Sequence, residues 1–230
     1  MVKDIKDICF VIQSRINSER VPKKVIKDFA GTTLVDIALS KLVSSSIIPN
    51  NQIYFSVYDK ELIDIGKKYP INIFDRSYES ANCDTGLTTL FEWHDKLPFK
   101  YVVLVHVCTP FLKMETIENF VKEYLNRKED GLFGVIAKKN YFWNEEGKML
   151  NKWPEEEDLI NTKAVEVTYE AAHCLYGARL DLIKDGIFAG SFQKKNDPVL
   201  FPIDESESLD IDFNWQFEAY KEVYKNVKNN

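Results

Sequence analysis

The sequence predicts an α/β fold built on a mostly parallel sheet with helices on both faces. Strand-length apolar runs alternate with segments of helical periodicity from residue 8 to residue 137, the rhythm of a sheet whose strands are joined by helical crossovers. The opening run Ile8–Gln13 and the run at residues 101–107 are apolar almost throughout, as strands buried on both faces must be. Polar punctuation at Asn50-Asn51, Pro70 and Pro110 separates the runs.

Taken in order, the first strand empties into a polar loop carrying Arg15, Arg20, Lys23 and Lys24, with Pro22 among them. Thr33 is the expected N-cap of a first helix, because Leu34, Ile37, Ala38 and Leu42 follow at helical spacing. Residues 52–57 read as a second strand, residues 60–69 as a helix ended by Pro70, and residues 71–74 as a short third strand. A polar, irregular stretch at residues 75–84 precedes a helix expected from Thr85 through Leu87, Leu90, Phe91 and Trp93. The run at residues 101–107 is a central strand, residues 115–127 an amphipathic helix, and residues 132–137 another strand.

The rhythm breaks at Lys138. Residues 141–150 suggest two short strands around a Glu-Gly turn, and residues 153–167 hold an acidic run with little periodicity. The prediction is one domain over residues 1–230, with residues 138–170 as an excursion that acts as a lid or packs on a second subunit. Tyr141, Phe142, Trp143 and Trp153 need burial somewhere. Strands are expected again at residues 171–176 and 199–203, and a helix at residues 214–224.

Composition narrows the function classes. The chain has 230 residues, 45% hydrophobic and 29% charged, ordinary for a globular domain. A formal charge of -6 argues against general nucleic-acid affinity, which needs a basic face. A local cationic loop in an acidic chain points instead to a small anionic ligand. Cys9, Cys83, Cys108 and Cys174 form no CxxC pair and read as free thiols rather than a zinc site or disulfide framework. The charged opening residues lack the apolar core of a signal peptide, and no apolar run reaches membrane-spanning length, so a cytoplasmic protein is expected.

Two groups of residues can do chemistry. A buried first strand that ends in a cationic loop is how open α/β sheets present a phosphate site, although such charges can also be merely solvated. Near the other end of the chain, Asp210 and Asp212 stand two residues apart in what should be extended backbone, so both carboxylates face one way and can share a hard cation. The two sites are complementary: one brings positive charge to phosphates, the other fixes the metal that neutralises the rest. Arg76, Asp84, Thr85 and Thr88 lie at the expected ligand-facing edge, as base readers or as helix caps. His106 ends the strongest strand at that edge and can line the cleft or sit in the core. His94 and His173 have no partner inferable from spacing.

The segment from Ile12 to Lys24, with Gln13, Ser14, Arg15, Ser18, Arg20 and Pro22, resembles the opening signature of the acylneuraminate cytidylyltransferase (CMP-sugar synthetase) family. Ala30-Gly31, Cys108-Thr109-Pro110-Phe111, Glu145-Glu146-Gly147-Lys148 and Asp210-Ile211-Asp212 are similar, in order, to further family motifs. The resemblance implies a Rossmann-like three-layer nucleotidyltransferase that dimerises through the excursion after Lys138 and couples CTP to an acidic sugar. It implies that Arg15, Ser18, Arg20 and Lys24 hold the triphosphate, that Arg76 and Thr88 lie near the cytidine, and that Asp210 and Asp212 bind Mg2+. Arg15, Lys24 and Asp212 would be the catalytic set, with His106 and Thr109 toward the acceptor.

The departures are specific. Glu19 stands where the family usually has Lys, and His106 where it has Gln. The Arg that often helps bind the sugar's carboxylate is replaced near Thr168 or Tyr169. These leave the acceptor open among sialic, legionaminic and pseudaminic types or another acid. A metal-dependent nucleotide-sugar glycosyltransferase and a non-catalytic nucleotide-binding homologue are the alternatives.

Overall fold

In the computed structural model, residues 2–83, 85–152 and 161–228 are described. One seven-stranded sheet organises the molecule. Its strands are β1 (Ile8–Gln13), β2 (Ile53–Val57), β3 (Asn72–Asp75), β4 (Tyr101–His106), β5 (Leu132–Lys138), β6 (Thr168–Arg179) and β7 (Val199–Pro202), in the order β3-β2-β1-β4-β6-β5-β7. The strands from β3 to β4 are mutually parallel; β6 runs antiparallel to both β4 and β5, and β7 is again parallel to β5. A mostly parallel sheet is therefore found, with β6 the exception.

Ile8, Cys9, Phe10, Val11 and Ile12 are all fully buried, because a central strand is covered on both faces. One face carries α1 (Leu34–Val43) and α5 (Met114–Asn126), whose Leu34, Leu39, Ile117 and Phe120 join Phe10 and Val103 in the main core. The helix α2 (Lys60–Gly66) precedes β3. Thr33 caps α1 as expected, its hydroxyl accepting from the Asp36 amide at 3.0 Å. The other face packs a smaller cluster around Val11, Leu104, Trp93 and Ile183.

Three local readings change. The irregular stretch after β3 contains a one-turn helix, α3 (Tyr78–Ala81). The helix expected from Thr85 is a single turn, α4 (Leu87–Leu90), followed by a 3-10 turn at Glu92–Asp95. Phe91 leaves helical geometry at φ -105 and ψ 51, and it and Trp93 both turn inward. Continuous helix would place residues two apart on different faces. The third concerns residues 141–150, which form a hairpin closed by one bridge, Trp143 to Met149, with Gly147 at φ 77 in its turn, rather than two strands. The chain ends in α6 (Asn214–Lys228). Asp84, Trp153 and the acidic run through residue 160 lie outside the described residues. No described helix is long and apolar enough to cross a membrane.

Candidate functional site

The sheet delivers a cleft at its carboxyl edge. Gln13 of β1 pairs in register with Ser56 of β2 and His106 of β4, so three strands end at one level. Beyond them opens a cleft of about 610 Å³, where ligands of open α/β sheets bind.

The first wall is the loop after β1. Its start is fixed by backbone: the Ser14 amide donates to the Ser56 carbonyl at 3.1 Å and the Ile16 amide to Asp59 at 3.0 Å. Arg15, Ser18, Glu19, Arg20 and Lys24 all line the cleft. The loop is then drawn onto the C-terminal helix. Phe29 meets Phe217 edge-on at 5.3 Å between centroids, and Lys27 reaches Glu218 at 3.1 Å.

That docking carries the loop to the paired aspartates. Ile211 is fully buried, so its two neighbours point the other way, and both Asp210 and Asp212 line the cleft. Arg20 Nη2 donates to Asp212 Oδ1 at 2.7 Å, and Lys24 Nζ lies 3.5 Å from the same oxygen while donating to the Ile211 carbonyl. Lys24 is only 12% exposed at its side chain. Gln216 accepts from the amides of Asp212 and Phe213, both at 2.7 Å, which holds the aspartate segment at the start of α6. Asp210 Oδ1 lies 3.8 Å from His106 Nδ1. Burial holds the His106 imidazole below its usual pKa, against the opposing pull of Asp210.

The floor is polar and bonded. The Gln13 amide donates to the Leu90 carbonyl at 3.1 Å and its oxygen accepts from the Trp93 indole at 2.7 Å. Arg76 is 4% exposed, and its guanidinium donates to the Ser80 hydroxyl, the Ser80 carbonyl and the Leu90 carbonyl. Burial, with Arg15 nearby, pulls its pKa down to about 10. Arg76 thus ties the loop after β3 to the cleft edge it lines.

The second wall is β6. The β5–β6 register jumps from Phe133 opposite Tyr176 to Val135 opposite Ala171, so β6 holds surplus residues against β5 at this point. The bulge contains His173 at φ 51, a left-handed conformation that a residue with a Cβ adopts at a cost. His173 is exposed to the cleft, its Nδ1 3.2 Å from the Tyr176 hydroxyl, and both residues line the cavity.

The structure thus brings together Arg15, Ser18, Arg20, Lys24, Arg76, His106, Asp210 and Asp212. Thr88 is exposed on α4 and is not among the lining residues. Thr109 is buried outside the lining, its hydroxyl donating to the His106 carbonyl at 3.1 Å. Sequence reasoning missed His173 and Tyr176, because a bulge leaves no periodic trace. It also missed Gln13 and Cys108, whose place at strand ends was the available signal.

An α/β domain whose strand ends join a basic loop to paired carboxylates has the architecture of a nucleotidyltransferase. The chain belongs to the cytidylyltransferase family, whose model matches residues 9–197. A pseudaminic acid cytidylyltransferase of Campylobacter jejuni subsp. jejuni serotype O:23/36 is 21% identical over 235 residues, covering 96% of this chain and 97% of that one. The protein of the same name from serotype O:2 is 21% identical over 57% of this chain, which spans only 58% of that relative's length. A 3-deoxy-manno-octulosonate cytidylyltransferase of Rickettsia bellii is 22% identical over 57% of this chain and 53% of its own. Among solved structures, CMP:2-keto-3-deoxy-manno-octonic acid synthetase complexed with CTP superposes with a TM-score of 0.69. It covers 96% of this chain and 99% of its own at 12% identity, a likeness of fold.

Proposed function

We propose that the protein is a CMP-acid-sugar synthetase that couples CTP to an acidic sugar of the nonulosonic type, pseudaminic acid or a relative, and releases pyrophosphate. The observation that carries this reading is the meeting of Arg20 and Lys24 with Asp212 across one cleft, although 188 residues separate Lys24 from Asp212. Charges paired this way in the ligand-free protein can exchange a carboxylate for phosphate oxygens without new desolvation.

In this mechanism Arg15, Ser18, Arg20 and Lys24 hold the triphosphate, and the floor around Arg76 receives the cytidine. The acceptor enters along the β6 wall, where His173 and Tyr176 offer polar groups to its carboxylate and hydroxyls. The anomeric hydroxyl attacks the α-phosphorus; its bond to phosphorus forms as the bond to the β-phosphate oxygen breaks, and the hydroxyl proton passes to Asp212 or solvent. Catalysis is positioning and charge neutralisation, and the chain supplies both. Asp210 and Asp212 fit a divalent cation: both line the cleft, on the side away from the buried Ile211 between them. Magnesium bound there would neutralise phosphate charge during transfer.

The excursion after β5 is the proposed dimer contact. Trp143, Leu150, Val167 and Tyr169 are exposed along it, apolar side chains that a second copy could cover. Cytoplasmic residence accompanies this reading, since CTP is an intracellular substrate.

Pyrophosphate release from CTP, Mg2+ and a panel of acidic sugars tests the reading. Release that depends on one nonulosonic or octulosonic acid is expected. CTP binding without release for any acid would leave a nucleotide-binding homologue, and consumption of a nucleotide sugar would make the protein a glycosyltransferase.

A further inference from the structure

His106, Cys108 and Asp210 converge at the back of the cleft. An imidazole nitrogen, the thiol sulfur and a carboxylate oxygen all lie within 4.8 Å of one another. The chain explains the convergence: His106 ends β4, Cys108 lies in the turn just after it, and both line the cleft together with Asp210. The Ile211 amide donates to the Cys108 carbonyl at 3.2 Å, which fastens the aspartate segment to the same turn. His106 Nδ1 and Asp210 Oδ1 are both buried, and neither has a hydrogen-bond partner among the described residues. Two buried polar atoms left 3.8 Å apart, beside a thiol, are what a ligand set looks like before its ion arrives.

The chemistry of the set is not that of a magnesium site. Magnesium takes oxygen ligands in octahedral geometry and keeps much of its water. One nitrogen, one sulfur and one oxygen suit a borderline-soft cation that accepts four ligands. Metal–ligand arms of about 2.0–2.3 Å at tetrahedral angles put ligand atoms about 3.5 Å apart. The His106–Asp210 separation of 3.8 Å is close to that, and no separation within the set exceeds 4.8 Å. We propose that His106, Cys108 and Asp210 form a three-ligand site for a divalent cation of the zinc type, with its fourth position open to the cleft. Binding forms a metal–sulfur bond and releases the Cys108 thiol proton to solvent. Asp212 stays outside the set, held by Arg20 and Lys24, and Asp210 gives this cation only Oδ1, leaving its second oxygen for the magnesium of the proposed function. What the open position does rests on the reading of the cleft as the nucleotide site; the binding of the cation does not.

The test is a Co2+ titration of the full chain after chelator treatment, followed by absorption. A thiolate-to-cobalt charge-transfer band, removed by stoichiometric Zn2+ and unaffected by a large excess of Mg2+, is expected. Cys108→Ser should abolish that band, and His106→Gln should keep it while weakening Co2+ binding by about tenfold or more. Should Cys108→Ser fail to fold by circular dichroism, zinc-edge X-ray absorption of the unaltered chain replaces it, with one sulfur expected among the nearest neighbours. Absence of the charge-transfer band, displacement by Mg2+, or a zinc shell without sulfur overturns the proposal. Turnover of CTP with Mg2+ in a chain that binds no Co2+ would remove this site and leave the proposed function. Co2+ binding without turnover would do the reverse.

Discussion

One wall of the cleft is a loop that, past its backbone-anchored start, reaches its partners by charged side chains; the other is a strand held in place by backbone. On the first, Arg20 and Lys24 share Asp212 at the mouth of the cleft, and under the proposed function that partner would be exchanged for phosphate. On the second, His173 sits at φ 51 in a bulge whose flanking residues are tied into β4 and β5 by ladder pairing. A wall of exchangeable charges suits a ligand portion that never varies, the triphosphate. A wall of fixed shape suits the portion that must be distinguished from its relatives, the acid sugar. Under the proposed function, the difference would put binding on one wall and selectivity on the other.

The hardest way to break that comparison is to remove charge from the first wall. Asp212→Asn keeps the shape but frees Arg20 and Lys24 from their shared partner and weakens the cation site. Turnover should fall by about 10²–10³-fold, the scale of losing one charge-stabilising group, with the circular dichroism spectrum unchanged. Pyrophosphate release measures it. Near-normal turnover would show that the charge pairs of this wall only hold the loop, and the contrast with β6 would disappear.

The two walls also differ in how far the sequence foretells them. The first was legible because its signals are local: an apolar run, then cations, then Pro22, and at the far end two aspartates around an apolar residue. That they meet across the sheet was inferred from charge complementarity, and the packing of Phe29 on Phe217 is what brings it about. Of the second wall, the strand was legible at residues 171–176 but its bulge was not. The bulge arises because β6 is antiparallel and must match β4 on one side and β5 on the other, at registers that the sequence of β6 alone does not contain. The turn at Phe91 was lost for a related reason, since Phe91 and Trp93 satisfy helical hydrophobicity while both being drawn into one core cluster, their ring centroids 5.1 Å apart.

Behind the cleft lining, charge is used in a third way, and its pH dependence sharpens the contrast. Lys41 of α1 lies under the turn after β4, its ammonium donating to the Pro110 carbonyl at 2.5 Å. Burial pulls its pKa down from 10.5 to about 8, against the opposing pull of Glu207. Below pH 8 folded and unfolded chains both carry the proton, and the folded state bears the full cost of the buried charge. Between pH 8 and 10.5 the unfolded chain binds more protons, so this group makes stability rise with pH. The shift from 10.5 to about 8 corresponds to about 3 kcal/mol. Across that window, urea unfolding should move in favour of the wild type over Lys41→Met by about that amount. Parallel curves for the two proteins would mean that the ammonium under the cleft is as well solvated as the cations at its mouth.

The gentlest test bears on β6 itself. A residue with a Cβ in the left-handed region costs roughly 1–2 kcal/mol, and glycine relieves it. His173→Gly should therefore raise stability, by about 1 kcal/mol once the added freedom of the unfolded chain is subtracted. If the strain is borne so that the imidazole can face the acceptor, the same change should raise KM for the acid sugar about tenfold, equivalent to about 1.4 kcal/mol, and leave KM for CTP within about twofold. His173→Ala separates the two effects, because it loses the imidazole while keeping the strained backbone: the acceptor KM should rise as far, with no gain in stability. Equal losses for CTP and acceptor would place His173 with the first wall. A more stable His173→Gly with unchanged acceptor KM would show that the outlier serves the packing of β6 alone, and that selectivity resides elsewhere in the cleft.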